Sequence, residues 1–206
     1  MAGEINTQTV LTNLLPDLHA TSFASMNFWT ESSLIQWTDQ AVKRLAVAAM
    51  VWIARDSSIE TVIGTAIYAL ADDAIETVHI SLATTPLRAA AVMDLEARDE
   101  SFQSTAGTPD HWYEDDLMLG TVGLCPVPVA AAAVNTINKV DPPDVDVALV
   151  NTLVQAPAPL AIYLEYSVLA VAYGQEGEGE EPDLAKHCQG RADMLEQLFQ
   201  QYYGKT

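Results

Sequence analysis

Residues able to hold a metal or act as a nucleophile are present, but their spacing does not assemble a reaction centre. The four histidines, His19, His79, His111 and His187, form neither an HxxxH nor an HExxH pair, so a zinc site finds no ligand set. His187 stands beside Cys188, and neighbouring helix positions point in different directions. One core thiol and one surface imidazole is therefore the simpler reading. The acidic run Glu114-Asp115-Asp116 has the chemistry for a cation or for paired carboxylates. Its position between two strand-like runs makes it read as a solvent-facing hairpin tip. Glycines at 174, 177 and 179 alternate with glutamates, which would repel a phosphate instead of cradling it.

Aromatic residues offer the other chemistry, stacking and apolar anchoring. Trp37, Trp52, Trp112 and Tyr113 are candidates; Trp52 reads as core, while Trp112 and Tyr113 stay open between core and interface. Phe199, Tyr202 and Tyr203 crowd a terminus, where fraying is normal unless something holds the chain down. Packing on its own subunit and docking into a neighbour both account for them.

Charge narrows the field. The chain of 206 residues has 9 Lys plus Arg against 28 Asp plus Glu, a formal charge of -19. Such a field repels phosphate backbones, so sequence-specific DNA binding is not expected, although an acidic wall lets a polyanion slide past without sticking. Half the residues are hydrophobic and only 18 % are charged, so much apolar surface must be covered within the chain or by partners. Two cysteines without paired spacing suggest a reducing compartment. No basic region followed by an apolar run marks a secretory signal, and the apolar stretches 41–54 and 159–173 are too short for a bilayer. No membrane partner is expected.

The elements that must position these residues follow from periodicity. Helical spacing predicts a helix over 7–15, ended by Pro16, and a second from a cap at Thr38 or Asp39 to about Arg55. Strands are predicted at 61–70 and 75–82, joined by Asp72-Asp73, then a short helix within 89–103 and strands at 110–113 and 118–125. Pro126 and Pro128 should keep the last strand from continuing centrally. Residues 130–134 and 145–154 give no clear period. A helix over 159–173 with Gly174 as its cap, a solvated acidic loop at 175–181 and a last helix from Pro182 to about Tyr203 complete the chain. Without βαβ alternation the fold class is α+β: residues 1–59 and 151–206 form a helical bundle, and 60–150 a β-rich insertion.

Four local signatures resemble the head-to-tail adaptor (connector) proteins of tailed, above all short-tailed, bacteriophages. They are Gln36-Trp37-Thr38-Asp39 at a helix; the acidic helix 93–102 leading to Gly107-Thr108-Pro109-Asp110-His111-Trp112-Tyr113; Gly123-Leu124-Cys125-Pro126-Val127-Pro128; and the helix 163–174 with Glu176, followed by Pro182-Asp183-Leu184-Ala185. The resemblance implies a structural virion protein of the neck, made in the host cytoplasm, with no enzymatic activity and no cofactor. It further implies a dodecameric ring of identical subunits between the portal protein and a tail or nozzle protein, extending the DNA channel. On this reading Leu198, Phe199, Tyr202 and Tyr203 dock into the portal from a tail, 198–206, that the fold does not need. Trp37, Trp112 and Tyr113 meet a neighbouring subunit or the tail. The alternatives are another neck, tail-completion or capsid-stabilising protein, or a small acidic enzyme or binding module with His111, Glu114 and Asp116 gathered in one pocket.

Overall fold

The computed structural model describes residues 4–22, 26, 28–114, 119–142, 145, 153–155, 159–175 and 180–203. In chain order the elements are β1 (Glu4–Asn6), α1 (Thr7–Asp17), α2 (Glu31–Ala48), β2 (Ile53–Glu60), β3 (Ile67–Ala69), β4 (Ala74–Leu82), β5 (Thr85–Pro86), β6 (Arg88–Ala89) and α3 (Val92–Arg98). There follow β7 (Ala106–Gly107), β8 (His111–Tyr113), β9 (Thr121–Cys125), β10 (Val127–Pro128), β11 (Ala133–Val140), β12 (Leu153–Gln155), α4 (Pro159–Gly174) and α5 (Pro182–Tyr203). The class is α+β, with helices towards both ends and strands between. Two units separate by their contacts, residues 1–52 with 142–206, and residues 53–141.

In the helical unit α4 is apolar on almost every side, the signature of a helix enclosed by others. Leu160, Leu164, Val168 and Ala172 are buried, as are Tyr163 and Tyr173, and α1, α2 and α5 all pack against it. Each large side chain so enclosed contributes about 2 kcal/mol of burial. The one carboxylate in this stretch, Glu165, accepts a hydrogen bond of 2.8 Å from Asn13 of α1. Trp29 donates its indole N–H to the Ala172 carbonyl at 3.1 Å.

Helix boundaries depart from the periodicity. α1 passes through Pro16, whose missing N–H falls in the last turn. The helix closes when His19 adopts φ +54° and Ala20 and His19 donate to the Leu15 and Pro16 carbonyls, a left-handed terminus. α2 starts at Glu31, not at Thr38, because Thr30 is the cap: its hydroxyl accepts from Ser33 N–H at 3.1 Å. Thr38 is inside the helix, fully buried, and returns its hydroxyl to the Leu34 carbonyl. α2 ends at Ala48, so Ile53 belongs to a strand. Gly174 is the last residue of α4 rather than a left-handed cap, since Gln175 and Glu181 donate to the Ala172 and Tyr173 carbonyls. The acidic stretch 176–179 lies outside the described residues.

The second unit is a sandwich of two four-stranded sheets, ordered β2-β11-β4-β5 and β3-β9-β8-β6, beside a small parallel pair of β7 and β10. Tyr68, Ile80, Leu87, Trp112, Val122, Leu124 and Val134 form the core between them. β8 alternates as a strand must: Trp112 enters this core, and Tyr113 turns to the opposite face, where Leu95 of α3, Phe102 and Cys125 enclose it. The expected strand at 61–70 survives only as β3, and it does not pair with β4. The expected helix at 89–103 contracts to Val92–Arg98, because Arg88–Ala89 joins β8 in parallel. β11, central in its sheet, was not among the predicted strands: its inward face carries Val134 and then Thr136 and Asn138, both buried and bonded to each other at 3.0 Å.

The outer strand β2 is irregular. Val134 faces Ile59 and Thr136 faces Asp56, so β2 carries one extra residue there. Asp56 accepts the Ser58 N–H at 2.7 Å, and that bond holds its carboxyl below the ordinary value of 3.8.

Gly123 lies opposite Tyr113, and a Cβ there would meet the phenol ring at 2.0 Å. Gly123→Ala is therefore expected to lower stability by about 1–3 kcal/mol or more through overpacking, read as a shift of the sandwich unit's urea midpoint. An unchanged midpoint would show that the ring can move aside.

Candidate docking surfaces

α5 has two apolar seams. One buries Cys188, Ala192 and Phe199, with the Phe199 ring edge-on to Tyr163 at 6.2 Å and stacked on Tyr203 at 6.0 Å. The other turns outward at the spacing of a helix-packing face: Leu195, Leu198 and Tyr202, with Leu198 49 % and Tyr202 85 % exposed. Together with Pro159 at the start of α4, residues from both seams line an open cavity of about 270 Å³. The four terminal residues singled out from sequence thus share one site, though unequally. Phe199 is a core side chain, so removing the segment 198–206 would take one buried ring out of the helical unit. Leu195 was not singled out from sequence, and Pro159 gave no signal because it joins the site from another helix.

Trp37, half-buried, lines a second hollow of about 140 Å³ with Arg44, Tyr163 and Gln189 among others. Tyr163 links the two places, since it lines this hollow and also meets Phe199. Burial raises its phenol pKa above the ordinary value, so it stays neutral. Arg44 reaches Glu196 at 2.9 Å and Asp193 at 3.3 Å. With over half of its side chain exposed, these pairs fix orientation more than they stabilise. Trp112 and Tyr113, by contrast, are enclosed by their own sandwich unit, at 7 % and 1 % exposure.

The described residues among the other candidates are engaged by near neighbours. His111 pairs with its neighbour Asp110 at 2.7 Å. Glu114 is not a free hairpin carboxylate: it accepts the Thr77 backbone N–H at 2.7 Å, next to the irregularity between β4 and β11. Asp115 and Asp116 lie outside the described residues. Among the described residues, no group of three or more His, Cys, Asp and Glu could hold a metal, and no helix is long and apolar enough to cross a membrane.

A family model for the SU10 adaptor protein matches residues 5–206, both units included. The chain belongs to the SU10 adaptor protein family. No curated protein matches it. The sequence signatures of a phage head-to-tail adaptor are thereby upheld, and the adaptor has a structural role as a component of the virion neck.

The adaptor's two thiols fit that role. Cys125 and Cys188 are free and buried, and burial, then nearby carboxylates, raises both above the ordinary thiol value. Thiolate, the reactive form, is scarce at neutral pH. His187, next to Cys188, is exposed. At pH 8 the native adaptor is expected to resist iodoacetamide while the urea-unfolded chain is labelled at both cysteines, as read by mass spectrometry; rapid native labelling of Cys188 would reopen a reactive role.

Proposed function

We propose that this adaptor forms a closed, dodecameric ring between portal and tail or nozzle protein, extends the DNA channel, and docks on the portal through the outward face of α5. It acts by packing and performs no catalysis. The observation that carries the reading is the seam of half-buried Leu195 and exposed Leu198 and Tyr202 over an apolar cavity in a chain whose family is a virion adaptor. An apolar helical face of this kind is suited to a partner's groove or helix. Trp37, on the hollow that shares Tyr163, belongs to the contact with the next subunit.

The formal charge of -19 supports the channel role. Like-charge repulsion keeps the passing genome from adhering, and the channel reads no sequence.

Docking is tested with a double substitution, Leu198→Ala with Tyr202→Ala, which spares Phe199. Both side chains are exposed, so thermal stability should change by less than about 0.5 kcal/mol. Loss of two anchoring side chains should weaken portal binding by at least about tenfold, measured by co-sedimentation with purified portal rings. Full retention of binding would move the docking site elsewhere.

A further inference from the structure

One end of the sandwich unit presents apolar side chains on a rigid mount. Val62, Ile63 and Val129 are 59 %, 67 % and 49 % exposed. They sit on two adjoining segments fastened together: Gly64 N–H donates to the Pro128 carbonyl at 3.0 Å. Thr61, itself buried, donates its hydroxyl to the Ala130 carbonyl at 2.9 Å and accepts the Ala132 N–H at 2.8 Å. The buried Tyr68 hydroxyl accepts the Val62 N–H at 3.1 Å and donates to the Thr65 carbonyl at 2.7 Å. Gly64 turns the loop at φ +80°, a conformation that suits glycine. Ordering a loop is one of the costs of association, and here the fold has already met it.

The two segments that form the tip, 61–66 and 126–132, carry no charge, and exposed Glu60 adjoins them. Residues 61–70 and 119–135 contain no Asp, Glu, Lys or Arg, in a chain whose formal charge is -19. Two identical acidic molecules repel wherever carboxylates face each other, and like-charge juxtaposition costs several kcal/mol. A contact between copies therefore falls on uncharged surface, and this tip supplies it.

We propose that the tip formed by Val62, Ile63 and Val129 is an intersubunit anchor whose occupant is a neighbouring copy of this chain, meeting it head-to-tail. The contact is heterologous, as a closed ring requires, and the tip inserts into an apolar surface elsewhere on the next subunit. This deepens the ring reading and rests on it.

The test places the photo-cross-linker p-benzoylphenylalanine at Ile63 in adaptor assembled into virion necks, with the ring's mass measured on the same preparation. Adaptor-to-adaptor cross-links, mapped by mass spectrometry to a site outside the tip, are the expected result. A ring of the expected mass whose Ile63 probe captures only another virion protein, or nothing, overturns the anchor and leaves the ring. Absence of both ring and adaptor-to-adaptor cross-links overturns both. In a second arm, Ile63→Asp with Val129→Asp should keep its circular dichroism and lose oligomers at a concentration where the parent is assembled. Undiminished oligomers from that variant also overturn the anchor.

Discussion

Self-repulsion is the constraint under which every surface of this adaptor is arranged. With 28 acidic residues against 9 basic ones, most carboxylates have no basic partner, and ion pairs can supply only a small part of the chain's cohesion. Among the described residues, ion pairs join Lys43 with Asp39, Arg44 with Asp193 and Glu196, and the buried Lys139 with Glu76. Cohesion falls to apolar burial instead, concentrated where one element is wrapped on all sides. α4 plays that part in the helical unit, and the core between the two sheets plays it in the other.

How far the sequence exposes this architecture depends on whether burial and polarity coincide. α4, α5 and β9 are legible because buried positions carry apolar side chains and the boundaries carry proline or glycine. β11 is not, because its inward positions 136 and 138 are threonine and asparagine, polar residues that are buried here and joined by one hydrogen bond, Asn138 Nδ2 to Thr136 Oγ1. The start of α2 was displaced by several residues because Thr38 and Thr30 look alike in sequence. Only the fold shows that one hydroxyl points back along the helix and the other closes its first turn.

The candidate docking residues divide in the same way. Crowded aromatics at the end of the chain signal a special region, but sequence cannot say that Phe199 faces inward and Tyr202 outward, since that depends on where α4 lies. Trp112 and Tyr113 carry the same ambiguity: consecutive residues on a strand serve opposite faces, and both faces of this sheet are covered. Glu114, which looked like a loose acid in a run of three, is tied to the Thr77 N–H of another strand.

The irregular edge of β2 has a consequence for crowding. A straight outer strand invites its counterpart on another molecule to zip on by main-chain hydrogen bonds, and that reaction has no natural stopping point. Here the extra residue and the Asp56 carboxylate folded over Ser58 spoil the template partway along. In the proposed ring, sheet-to-sheet polymerisation of neighbouring copies would be discouraged, leaving their association to side-chain surfaces.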